Sequence, residues 1–126
     1  MKASELRIGN LLELPNKQAV QISIDSLKEI ESGIHPYQKI PLTEDWLVRF
    51  GFIKMINPNN RIYYSLADYR AEIIGYRKEY VMLGEIHFEW VFYLTDSNGD
   101  RIGKEHNSVH QLQNLYFLLT GKELIK

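Results

Sequence analysis

The sequence predicts an α+β fold: a mostly antiparallel, strongly curved sheet, SH3-like at its N-terminal end, with a short central helix and a C-terminal helix packed on the sheet. Three observations predict it. Residues 107–124 (NSVHQLQNLYFLLTGKEL) carry apolar side chains at helical spacing between a capping serine and a closing glycine. Residues 85–94 alternate strictly, with Ile86, Phe88, Trp90, Phe92 and Leu94 on one side and Glu85, His87 and Glu89 on the other. Clusters of Asn, Gly and Pro cut the remainder into short β-rich runs.

Taken in order, residues 6–14 (LRIGNLLEL) read as a first strand, ended by Pro15, Asn16 and Lys17. Residues 19–24 alternate as a half-buried second strand, and this tight pair resembles the opening of a small SH3-like barrel. Residues 26–30 suit either a third short strand or one helical turn. After a connection holding Pro36 and Pro41, Thr43 is an N-cap, with Glu44 and Asp45 at the positive end of the helix it starts. Leu42 and Leu47 stand at staple positions, and Gly51 closes this helix with Phe52 folding back on Leu47. Residues 53–56 and 61–66 form a hairpin about the Asn57-Pro58-Asn59-Asn60 turn. Residues 65–83 fit a helix capped at Ser65 or two strands, 73–76 and 80–83, joined near 77–79. The β-branched and aromatic content favours strands. The 85–94 strand then turns at Asn98-Gly99, which readily takes positive φ at both positions.

Ser108 and Gln111 have the spacing of a capping box on the last helix, and Gly121 its left-handed stop. Val109, Leu112, Leu115, Tyr116 and Leu119 share an arc of roughly 120°, the width of a core-facing stripe, and the aromatic face of 85–94 is its expected bed. His110, Gln113 and Asn114 take the other side, with Phe117 projecting among them. Either a further part of the fold covers Phe117, or His110, Gln113, Asn114 and Phe117 form a partner surface, for instance in a homodimer.

Composition excludes several classes. The 126 residues are most simply one α+β domain, 1–126. The absence of cysteine excludes disulfides, thiolate nucleophiles and cysteine-ligated metals. Fifteen basic against sixteen acidic residues leave no global field for nucleic acid or membrane. The N-terminal residues lack the apolar core of a signal peptide and no run is long enough to span a bilayer, so the expectation is a cytoplasmic protein with no membrane association.

The chemical motifs fail on their own terms. Asp96-x-Asn98-x-Asp100 starts like a calcium loop, but Arg101 and Asn107 occupy the positions of its Gly and Glu. Residues 99–104 lack the spacing of a phosphate loop, and Glu105 replaces its Ser or Thr. His106 and His110 have zinc-helix spacing without the general-base Glu. Glu85, His87 and Glu89 repeat at roughly 6.5–7 Å along a strand, loose for one metal. No catalytic, metal or cofactor site is expected. Arg61, Tyr63, Arg70, Arg77 and Lys78, with neighbouring tyrosines, have the residue types that hold single-stranded nucleic acid. Asp68, Glu72 and Glu79 dilute that charge, so nucleic acid is the second choice.

Three blocks carry a resemblance: Leu6-Arg7-Ile8-Gly9-Asn10; Ile40-Pro41-Leu42-Thr43-Glu44-Asp45-Trp46-Leu47 with Phe50-Gly51-Phe52; and residues 109–117 with Leu119-Thr120-Gly121-Lys122-Glu123-Leu124. Together they resemble a family of small uncharacterised bacterial proteins common in prophage-like and mobile regions. The resemblance implies no catalytic residue. It implies an interaction or accessory role rather than catalysis.

Overall fold

The computed structural model describes residues 5–67, 71–96 and 98–124. Its contacts divide the chain into two compact units, one formed by the described residues up to Pro41 with Ser108–Leu124, the other by Leu42–Asn107.

In the first unit, turns limit the strands to a few residues. Gly9 at φ 94° and a bond from the Asn10 N–H to the Arg7 carbonyl interrupt the long first strand expected over 6–14. What remains is β1 (Leu11–Glu13), paired antiparallel with β2 (Ala19–Gln21) and with β3 (Gln38–Lys39) in the order β2-β1-β3. Residues 26–30 belong to a helix, α1 (Ile24–Ser32), because Ser23 and Ser26 cap each other reciprocally and Gly33 closes it at φ 83°. Leu6, Leu12, Ile22 and Ile30 form the apolar cluster under these elements, with Leu27 and Tyr37 packed against it. This small sheet is open, not a barrel.

The last helix, α3 (Val109–Thr120), ends at Gly121 in the left-handed region, as its sequence predicts. Its start differs. The Ser108 hydroxyl makes no cap bond to the backbone and donates instead to the Gln111 side chain (2.7 Å). The helix belongs to the unit with β1. Gln113 and Asn114 turn toward β1 and the chain before it, so that Val109 and Leu112 on one side, and His110 and Gln113 on the other, are all buried.

The second unit starts with α2 (Glu44–Arg49), capped by Thr43 and closed by Gly51 with the Phe52 N–H bonded to the Leu47 carbonyl (3.0 Å). There follows a five-stranded antiparallel meander, β4 (Ile53–Ile56), β5 (Ile62–Ala67), β6 (Glu72–Met82), β7 (Glu85–Thr95) and β8 (Arg101–His106), in chain order. The stretch from Glu72 to Met82 is one unbroken strand, so the joint expected near 77–79 does not exist. Its true turn is Leu83-Gly84, both at positive φ, which makes β6 and β7 a long two-stranded ribbon. Among the described residues of the 96–100 turn, by contrast, only Gly99 has positive φ; Asn98 does not. Within this unit α2 lies on the face that carries Tyr64, Gly75 and Phe92, with Leu47 against Gly75.

Candidate functional site

The sheet of the second unit parts after the pair Tyr64↔Gly75. β5 begins two residues before Tyr64, yet Ile62 and Tyr63 make no ladder with β6. From residue 76 to 82 the outer edge of β6 therefore faces no strand among the described residues, while its inner edge stays paired with β7 up to Met82↔Glu85. The two-residue turn fixes which groups face which way. Met82 and Glu85, flanking it, form a hydrogen-bonded pair, and such pairs alternate along an antiparallel ladder. Tyr80 and Lys78 then bond toward β7, and the N–H and C=O of Arg77, Glu79 and Val81 point outward.

A cleft of about 1140 Å³ lies at this parting. Ile62 and Tyr63 line it from β5, Arg61 from the preceding turn, and residues 76–79 from β6. Successive β6 residues point to opposite faces of the sheet, so a depression on one face would not be lined by Tyr76, Arg77, Lys78 and Glu79 together. An opening between the strands is.

One wall is a coupled polar cluster. Tyr76 and Tyr93 meet edge to face at 5.9 Å, and the Arg101 guanidinium lies over the Tyr93 ring at 4.2 Å. Glu105 accepts from the Tyr76 hydroxyl and from Lys78 Nζ (2.8 Å), with Arg101 at 3.7 Å. Burial alone would push the Glu105 carboxyl up, but the bonds from Lys78 and Tyr76 and the charges of Lys78 and Arg101 hold it below the usual carboxylate range. Burial, then the bond to Glu105, pushes the Tyr76 phenol up to about 12. Tyr64 donates to Glu44, and that bond, with burial, takes it to about 12 as well. Ser65 donates to Glu72. Two of the three carboxylates lining the cleft, Glu44 and Glu72, are thus already bonded, whereas Arg61 and Arg77 have no carboxylate within ion-pairing distance among the described residues.

The structure brings four of the five Arg/Tyr residues singled out in the sequence, Arg61, Tyr63, Arg77 and Lys78, to this cleft; Arg70 lies outside the described residues. They do not form one stacking face. Arg77 is on the side opposite Lys78, with its guanidinium over Phe88 at 4.4 Å. Tyr93 and Arg101 join them from β7 and β8, and Glu105 of β8 bonds to Tyr76 and Lys78. The period-two spacing of Tyr76 and Lys78 hints at their shared face, but the irregular β7–β8 register that brings in Glu105 has no sequence signal.

The residues expected at a partner surface have other work. His110 and Gln113 are 2 % and 3 % exposed. Gln113 Oε1 accepts from the Leu11 N–H (2.8 Å), and Asn114 accepts from Asn10 Nδ2 and Arg7 Nε while donating to the Glu5 carbonyl. Arg7 also pairs with Glu123 (2.7 Å) and covers the Phe117 ring at 4.2 Å. Only Phe117 and part of Asn114 reach the surface.

No group of three His, Asp or Glu among the described residues is placed to hold a metal ion. His87 stacks on Tyr80, with its Nε2 3.8 Å from Glu85, and Glu89 accepts from Asn107. Asp96 caps its own turn, accepting from the Asn98 and Asp100 N–H groups. No helix among the described residues is long and apolar enough to cross a membrane. The chain matches no family model, no curated protein and no solved structure.

Proposed function

We propose that the chain is a non-enzymatic interaction module, accessory to a phage-like or mobile-element process, and that it docks its partner along the outer edge of β6. The observation that carries this reading is the seven-residue stretch of strand edge, 76–82, left without a partner strand among the described residues, beside an open cleft. Exposed strand edges invite pairing and are normally shortened, charged or covered. This one carries the charged run Arg77, Lys78 and Glu79 and then leads to a tip where Val81, Met82, Leu83, Ile86 and Phe88 are all exposed. Scattered apolar side chains need no explanation, but a contiguous group on a projecting ribbon marks a contact surface. The resemblance of the three sequence blocks supports the phage-like setting.

Site-specific photocrosslinking tests the reading. A benzophenone side chain at Val81 is expected to give a discrete adduct in the native host, and one at the exposed Lys28 of α1 none. Equal labelling at both positions, or none at Val81, would sink the proposal. The second reading, single-stranded nucleic acid, has one observation in its favour: Arg61, Tyr63, Arg77 and Lys78 line a single cleft. It requires salt-dependent binding of an oligonucleotide, with a slope that falls when Lys78 is replaced.

A further inference from the structure

We infer that the occupant of this cleft is an extended, acidic segment of a partner protein, which adds to β6 as a strand. The inference rests on the docking reading above and names the chemistry of what docks.

The backbone supplies the first argument. Arg77, Glu79 and Val81 each present one donor and one acceptor outward, and they recur every second residue, at the roughly 6.5–7 Å repeat of a β-strand. Another extended polypeptide is the ligand whose own N–H and C=O groups match that repeat. Main-chain bonds would provide affinity and the flanking side chains specificity. A nucleic-acid backbone lacks the alternating donors.

Size and shape supply the second. A volume of about 1140 Å³ exceeds the roughly 300–1,000 Å³ of small-molecule sites and suits a length of chain. The cleft has walls on both sides, β5 with its preceding turn and β6, so the incoming strand must have its own edges free. A second copy of this chain would offer β6, one edge of which is already committed to β7. A tail or linker meets the requirement.

Charge decides the composition. Glu44 and Glu72 accept from Tyr64 and Ser65, and Lys78 and Arg101 are held by Glu105. Glu44, Glu72 and Glu79 line the same cleft, but among the described residues no carboxylate lies within ion-pairing distance of Arg61 or Arg77, so the segment that fits places a carboxylate directly against one of these guanidinium groups.

The test is selection of a random dodecapeptide display library on the full chain, followed by affinity measurement with the recovered synthetic peptides. Extended sequences with at least one Asp or Glu are expected. Glu79→Pro removes one outward N–H without touching a β6–β7 hydrogen bond, and proline is tolerated on a strand edge. It should weaken binding at least tenfold while the circular dichroism spectrum is kept. Arg61→Glu, at an exposed turn, serves as a second variant should Glu79→Pro perturb the fold, and should weaken binding of the acidic peptides to a similar degree. Peptides that bind equally well to both variants would overturn strand addition but leave the interaction reading standing. Failure to enrich any peptide, with tight binding of a single-stranded oligonucleotide, would overturn both.

Discussion

Leu83 shows how a single residue argues for function. It is 98 % exposed and holds φ at 54°, a backbone region that costs a side chain bearing a Cβ about 1 kcal/mol. A two-residue turn between antiparallel strands is best served by Asn-Gly, and the chain supplies only the glycine, Gly84. A leucine that is strained and wholly in water adds no buried area to the fold, and at the ribbon tip it stands where the proposed partner would touch it. Leu83→Asn is therefore expected to raise the unfolding free energy by about 1 kcal/mol in urea titrations, and to weaken docking at the same time. A variant less stable than the parent would contradict the strain argument. Two tyrosines offer a second handle at this scale. With their phenols raised to about 12, Tyr64 and Tyr76 should ionise well above the ordinary value of 10.0 as phenolate absorbance is followed upward in pH. Since the folded state favours their neutral form, the stability they contribute is complete below the ordinary value of 10.0 and is lost as pH rises from there toward 12. Replacing Glu105 with Gln should bring only Tyr76 down.

Among the elements, β6 is with β7 one of the two longest strands, yet its sequence leaves helix and strand both open. Its composition favours strand over helix, and the alternation of Glu85, His87 and Glu89 against Ile86, Phe88 and Trp90 makes β7 legible beside it. The charged triplet Arg77-Lys78-Glu79 reads as a turn because such residues usually sit in solvent. Here they sit in mid-strand and remain solvated because β5 leaves them at the cleft. Composition reports exposure and cannot distinguish an exposed edge from a turn. The other end of β6 is held by close packing: a Cβ built on Gly75 would come within 2.9 Å of Leu47 Cδ1, and Leu47 is fully buried. A side chain so enclosed can yield only by leaving its rotamer or displacing α2. Gly75→Ala should cost about 1–3 kcal/mol, the range for overpacked cores. Pairing it with Leu47→Ala tests the cause: the double variant should be less destabilised than the two single losses sum to, and strict additivity would place the strain elsewhere.

At the scale of the molecule, the first and third resemblance blocks, far apart in sequence, contribute to the same unit. Arg7 and Asn10 from the start meet Gln113, Asn114 and Glu123 from the end. Of the apolar stripe expected on α3, Val109 and Leu112 are buried, Leu115 and Tyr116 half-buried and Leu119 exposed, while a hydrophobicity count treats Gln113 and Asn114 as solvent-facing. Their bonds to the Leu11 N–H, the Asn10 amide and the Glu5 carbonyl are partnerships at a sequence distance that periodicity does not register. The same inward turn buries His110. Its Nδ1 lies 3.3 Å from the Ser108 hydroxyl and its Nε2 has no hydrogen-bond partner among the described residues, so the neutral ring fits the site and a charged one would not. Burial holds His110 below its ordinary value of 6.5, with Lys39 acting in the same direction and Glu5 opposing. Burial and then Lys104 do the same to His106, in the other unit. In both cases the unfolded chain takes up a proton at a higher pH than the folded one. Stability is therefore full above 6.5 and falls as pH drops from there through the depressed folded values. Urea midpoints measured from pH 8 down to pH 5 should decline before the carboxylates begin to titrate. His110→Leu, which removes the unpartnered nitrogen while keeping an apolar side chain, should flatten the part of that decline due to the unit containing α3. An unchanged slope in this variant would show that the protonation of His110 is not coupled to unfolding.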